Sequence, residues 1–136
     1  MARTTLNDRD RALLEAPNFV HVSTLREDGT VHTVPIWVDV EDGHVLLNTE
    51  TSRAWPKHLR ERPTVTLTVL NMENPYEYVT VTGRLADETK VGAAEHIDKL
   101  AMKYMGADTY PDHSPDRPRV IFRIAPERVR SETSSS

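Results

Sequence analysis

Cysteine is absent from the 136 residues, so neither disulfides nor thiolate metal sites can hold this fold, and a cytoplasmic protein is expected. No apolar run approaches the roughly 18 residues that a membrane helix needs. The opening segment, MARTTLNDRDRALLEAP, is charged where a signal peptide would be apolar. Glycine is scarce, at five residues, and none sits in a phosphate-binding loop or a serine nucleophile elbow. The six histidines show no His-x-His or His-x-x-x-His spacing, so no metal site is expected. Net charge is −4, the opposite of the basic footprint of a general nucleic-acid binder. With no strong paired-carboxylate signal either, the chain offers no catalytic machinery of its own. Chemistry is expected to come from a bound cofactor.

What is present reads as one domain over residues 1–130, with a polar tail at 131–136. Asn7 caps a short helix that Pro17 closes. Strands are predicted over 19–25, 30–40 and 44–50, joined by turns at Asp28-Gly29 and Asp42-Gly43. Three more follow at 64–72, 76–86 and 119–126, with Gly83 marking a bulge or a close backbone approach. In the first of these Val65, Leu67 and Val69 alternate with threonines. A second short helix is predicted from Pro56 to Arg62, with Pro56 in its first position. A longer helix is capped by Asp87, carries Val91, Ala94, Ile97, Ala101 and Met105 at helical spacing, and ends at Gly106. The expectation is a mainly β (α+β) fold: six antiparallel strands closed into a small barrel, with one longer and two short helices.

Two surfaces stand out. In the strand at 30–40, alternation turns His32, Val34, Ile36, Val38 and Val40 inward, and Val31, Thr33, Pro35, Trp37 and Asp39 outward. A Thr-x-Pro-x-Trp row is a poor solvent face. Either a ligand or partner covers it, or Trp37 packs beneath the long helix. Tyr76 and Tyr78 share one face of their strand, and together with Trp37 they suggest a dimer interface. The second surface is TSRAWPKHLRERP (Thr51–Pro63), which carries Arg53, Lys57, Arg60 and Arg62 in an acidic chain. Arg53 and Lys57 beside free N–H groups at a helix start form a cradle for phosphate or carboxylate. The plainer alternative is a solvated amphipathic turn anchored by Leu59. Arg60 and Arg62 suit a helix C-terminus without a ligand.

The order and spacing of FVHVSTLREDGTVHTVPIWVDV, LLNTETSRAWPKHLRERPTVTLTVL, NPYEYVTVTGRL and HIDKLAMKYMG resemble the split β-barrel family related to pyridoxamine 5'-phosphate oxidase. The likeness is to its deazaflavin-dependent branch, which uses coenzyme F420. That resemblance implies a six-stranded split barrel, a homodimer with two cofactor sites at the seam, and hydride transfer to a small organic substrate. It implies a ring site beside Thr33, Pro35 and Trp37, near Asn48 and Thr49. The cofactor phosphate would meet Ser52, Arg53, Ala54 and Lys57, and Tyr76 and Tyr78 would reach in across the seam. The chain departs from the family's Arg-x-Lys-x-Arg pattern by reading Arg53-Ala54-Trp55-Pro56-Lys57. One cation is lost, and Trp55 is expected to stack on a ring or pack at the dimer seam. FMN is the alternative cofactor, in a flavin reductase of the same fold. A non-catalytic carrier of a cofactor or haem is the alternative outside enzymology.

Overall fold

The computed structural model describes residues 3–132; the remainder of the predicted tail, 133–136, lies outside the described residues. The elements in chain order are α1 (Asp8–Glu15), β1 (Val20–Leu25), β2 (Val31–Ile36), β3 (Asp39–Glu41), β4 (His44–Glu50), α2 (Ala54–Glu61), β5 (Thr64–Asn71), β6 (Asn74–Thr89), α3 (Ala93–Met105) and β7 (Arg119–Glu132). Seven strands form one antiparallel sheet in the order β2-β1-β5-β6-β7-β4-β3. No helix among the described residues is long and apolar enough to cross a membrane.

The sheet has seven strands and two free edges, not the six strands of a closed barrel. The predicted strand at 30–40 breaks at Trp37-Val38 because helix side chains take over its backbone bonds. The Val38 amide donates to the Tyr104 hydroxyl at 3.0 Å, and Lys103 Nζ donates to the Val38 carbonyl at 2.7 Å. Both groups are thereby satisfied without a ladder partner. The two edge strands, β2 and β3, are consecutive in the chain. The residues between them span at most about 11 Å, so the sheet rolls until its edges meet at this corner.

Inside the roll, Val20 and Val22 of β1 and Val65, Leu67 and Val69 of β5 are buried, as alternation predicts. Leu13 and Leu14 of α1 and Trp55 and Leu59 of α2 join the same core. The Asp42-Gly43 turn has both residues at positive φ (52° and 76°), the arrangement that lets a two-residue hairpin follow the strand twist. Gly83 is required by contact: a Cβ there would lie 2.5 Å from the Ala125 carbonyl oxygen. The ladder between β6 and β7 shifts register beside it, so the predicted bulge and the close approach coincide.

Two boundaries move. Residues 87–89 extend β6, with Asp87, Glu88 and Thr89 opposite Arg123, Phe122 and Ile121. The long helix therefore starts at Ala93, after Gly92 in a left-handed conformation, and Asp87 is no cap. Its buried face is Ala93, Ile97, Leu100 and Ala101, while Val91 and Met105 are exposed. At the other end β7 runs past Pro126 to Glu132. Ser131 Oγ donates to Asp10 at 2.5 Å, and Arg3 donates to the same buried carboxylate at 2.6 Å. Asp10 also completes the capping box with Asn7. Ser131 and Glu132 are thus strand, not tail.

Candidate functional site

The roll leaves a cleft of about 290 Å³ on its outer side, where the β2–β3 corner, β4, the start of α2 and the start of β7 converge. Hollows of about 390 and 400 Å³ lie beside α1 and beside the Asp112–Pro118 loop, but neither is walled by Trp, Tyr or Phe. The smaller cleft has Pro35 and Trp37 from the β2–β3 corner, Asn48 and Thr49 from β4, Arg53 and Trp55 from α2, and Tyr110 and Arg119 from the far segment.

Five residues singled out from the sequence therefore come together: Pro35, Trp37, Asn48, Thr49 and Arg53. Thr33 lies further along the outward row, where its hydroxyl pairs with Ser23 at 3.0 Å. Ser52, Ala54 and Lys57 are exposed around the first turn of α2 and do not line the cleft. Tyr76 is 75% exposed and Tyr78 half-buried on β6; neither lines this cleft within one chain. Asp39, expected to face outward, is buried. Alternation fails there because the break at Trp37-Val38 resets the faces.

The aromatic wall is a stack. Trp37 lies on Tyr104 of α3 (centroids 5.0 Å, planes 4° apart), and Tyr104 stacks on Phe19 (5.7 Å, 19°). Tyr110 meets Trp37 edge-on at 5.8 Å. Trp37 thus packs beneath the long helix and borders the cleft as well. The Tyr104 hydroxyl donates to the Asn18 carbonyl at 2.5 Å, and burial pushes its pKa up to about 12. Burial also draws the Lys103 ammonium down to about 8, although it bonds the Leu14 and Val38 carbonyls and lies over the Tyr104 ring.

At α2, Arg53 is the N-cap residue and Pro56 occupies the third helical position, not the first. Proline is tolerated there because that N–H would have no intrahelical acceptor. The Arg53 amide bonds the Glu50 carbonyl at 3.2 Å, and among the described residues the Ala54 and Trp55 amides have no backbone acceptor. Trp55 is 2% exposed and packs on Phe122 at 5.5 Å. Trp55 is therefore a root of the helix in the core that also borders the cleft, not a surface ring at a seam.

Behind the cleft runs a buried polar chain. Arg119 Nε donates to Asn48 Oδ1 at 2.6 Å. Asn48 Nδ2 donates to the Ala93 carbonyl at 2.9 Å and to His96 Nδ1 at 3.0 Å. His96 Nε2 donates to Asp39 Oδ2 at 2.9 Å, where Lys99 also arrives at 3.1 Å. Burial alone would raise the Asp39 pKa, but hydrogen bonds from His96, the Val40 amide and Lys99 hold it well below the usual carboxylate range. For Arg119, burial lowers the pKa and Arg53 adds to that, while Tyr110 and Glu50 oppose it.

Sequence reasoning missed Arg119, Tyr110 and Phe19. Arg119 opens a strand in which Val120, Phe122 and Ile124 face the core, so alternation gives its outward direction. Its position opposite Glu50 on β4 requires the register.

The family model described as pyridoxamine 5'-phosphate oxidase matches residues 6–132. Among solved structures, an F420 reductase has a TM-score of 0.81 at 24% identity, covering 92% of this chain and 98% of its own. The conserved hypothetical protein Rv2991 from Mycobacterium tuberculosis has a TM-score of 0.70 at 20% identity, with 95% and 86% covered. An FAD-binding protein from Mesorhizobium loti has a TM-score of 0.62 at 21% identity, with 98% and 99% covered. These likenesses establish the fold. None of the curated protein sequences matches the chain.

Proposed function

Because the chain belongs to the pyridoxamine 5'-phosphate oxidase family, we propose that it is an oxidoreductase that binds coenzyme F420 in this cleft and exchanges hydride with a small organic substrate. The observation that carries the reading is the pairing of a flat aromatic wall, Trp37 on Tyr104, with cations at Arg53 and Arg119 around one cleft. The donor set suits a phosphate-bearing ring: two free amides and the Arg53 guanidinium at the start of α2 form an anion cradle, with Lys57 one turn on. When bound, the deazaflavin supplies the carbon that gives or takes the hydride. The chain's residues hold and shield.

Asn48 spends both ends of its amide on Ala93, His96 and Arg119, so it acts as a fixed strut. Thr49, whose hydroxyl makes no hydrogen bond among the described residues, is the better donor to a ring edge. Tyr104 fixes the plane of Trp37, which keeps the wall flat without cost at binding.

A cleft of about 290 Å³ is at the small end of ligand sites, and one chain leaves it open. This supports a homodimer in which Tyr76 and Tyr78 of the second copy form the facing wall and exclude water. FMN is the second reading, favoured by the missing middle cation at Trp55.

Fluorescence titration of the purified protein with F420 and with FMN tests this. Saturable F420 binding with consumption of reduced cofactor on adding quinones or enones supports the proposal. Binding of FMN alone moves the assignment to a flavin reductase. Binding without turnover across acceptors leaves a carrier, and no binding of either removes the proposal. Light scattering should give twice the chain mass.

A further inference from the structure

The Arg119 side chain is 13% exposed, and only its Nε has a well-formed acceptor, the Asn48 oxygen. Its guanidinium carbon sits 5.1 Å from the centre of the Tyr110 ring. Among the described residues its two terminal nitrogens make no hydrogen bond of good geometry, the Tyr110 side chain being only a weak acceptor beside them. The nearest carboxylate, Glu50, is 3.9 Å from Nη1 and is shared with Arg117 at 3.5 Å. Its terminal nitrogens are not among the buried unpartnered side-chain atoms, so the unpaired fork keeps access to solvent where Arg119 lines the cleft. Arg53 on the same cleft adds positive charge and leaves Glu50 outnumbered.

The residues behind Arg119 fix its direction. His96 donates through Nε2 to Asp39, so its Nδ1 is the acceptor for the Asn48 amide nitrogen. That nitrogen also serves the Ala93 carbonyl. Turning the amide over would set oxygen against the Ala93 carbonyl and N–H against N–H at Arg119. The tautomer of His96 thus presents the Asn48 oxygen to Arg119, whose terminal nitrogens stay uncommitted.

We propose that Arg119 is an oxyanion anchor of the cleft, taking a carboxylate or phosphate on its two terminal nitrogens, and that His96 is a positioning residue acting through Asn48. Bidentate recognition of this kind is the geometry for which a guanidinium fork is suited. The anchor rests on the reading of this cleft as a ligand site, but not on which cofactor fills it. The oxyanion comes either from the cofactor or from the organic substrate.

The test is calorimetric titration of the full chain with inorganic phosphate at constant ionic strength, followed by F420, FMN and riboflavin, which lacks the phosphate. Arg119→Gln should weaken phosphate binding about ten- to a hundred-fold, as expected for lost charge-assisted hydrogen bonds. If that variant does not fold, Arg119→Lys, which keeps the charge without the fork, should still lose several-fold.

His96→Asn keeps an acceptor toward Asn48 and should bind phosphate nearly as wild type does, whereas His96→Leu should lose several-fold. Equal weakening of phosphate and of both phosphorylated cofactors in Arg119→Gln assigns the oxyanion to the cofactor. Weakened phosphate with unchanged cofactor affinity assigns it to the substrate. If wild type binds phosphate through Arg119 but neither cofactor, the anchor stands and the proposed function falls. Wild-type phosphate affinity in Arg119→Gln, or no phosphate binding by wild type, overturns the anchor. Equal affinity in His96→Leu and wild type overturns the positioning role.

Discussion

Trp37 and Trp55 border the same cleft and differ in everything else. Trp55 sits in the first turn of α2, 2% exposed against Phe122, and its neighbours are the apolar interior of the rolled sheet. Trp37 sits in the break between β2 and β3, half-buried and stacked parallel on Tyr104. One ring roots a helix, and the other walls a site. The difference shows that one helix start can set a tryptophan in the core as an anchor and still hold Arg53 at the cleft beside it.

The largest expected effect breaks the root. Trp55→Ala should destabilise the protein by about 3–5 kcal/mol, as for other fully buried large aromatics. Urea denaturation measures it, and near-wild-type stability would mean that Trp55 is not core.

Removing the charges and leaving the root is the complementary change. Arg53→Ala with Lys57→Ala should weaken cofactor binding by a few kcal/mol, about 1.5–3 for each lost charge-assisted bond, while stability stays within about 0.5 kcal/mol. Unchanged affinity would place the phosphate elsewhere.

Trp37→Ala should cost less than the root, on the order of 1–2 kcal/mol from lost stacking and partial burial, and should reduce cofactor affinity by titration. A larger stability loss than for Trp55→Ala would invert the comparison.

The smallest effect is a separation by pH. On the helix that carries Trp55, His58 lies 5.3 Å from His32, and its pKa is lowered by burial, with His32, Arg26 and Arg62 adding to that. The lowered folded value means this contribution is complete above the unfolded pKa of about 6.5 and is lost as pH falls from there through the folded value. Next to Trp37, Asp39 also titrates low in the fold, so its contribution holds above about 3.9 and is lost only below that. Urea midpoints followed from pH 8 to 3 should show both windows. His58→Gln should flatten the first and Asp39→Asn the second, and a slope that survives its substitution would reject that assignment.

The hairpin turns were legible because Asp-Gly pairs encode them locally, and the buried faces of β1 and β5 because alternation needs no partner to be seen. The break at Trp37-Val38 was not, since the groups that satisfy Val38 lie about 66 residues away on α3. The start of α3 was misplaced for the same reason: residues 87–89 are strand only because β7 lies beside them. In the site, Pro35, Trp37 and Arg53 could be chosen from spacing and chemistry. Arg119 could not, because its meaning depends on the β4–β7 register and on an amide held from behind by His96. His32 and His58 meet across a strand and a helix, and neither stretch announces the other.

The roll with two free edges bears on what could add to the sheet. An unpaired strand edge is a template for adding another strand, and β2 and β3 are the two edges of this sheet. β3 is three residues long, too short to template much. On β2, Pro35 removes one backbone donor from the edge. The proline that first drew attention to this face thus also guards its edge against strand-to-strand stacking.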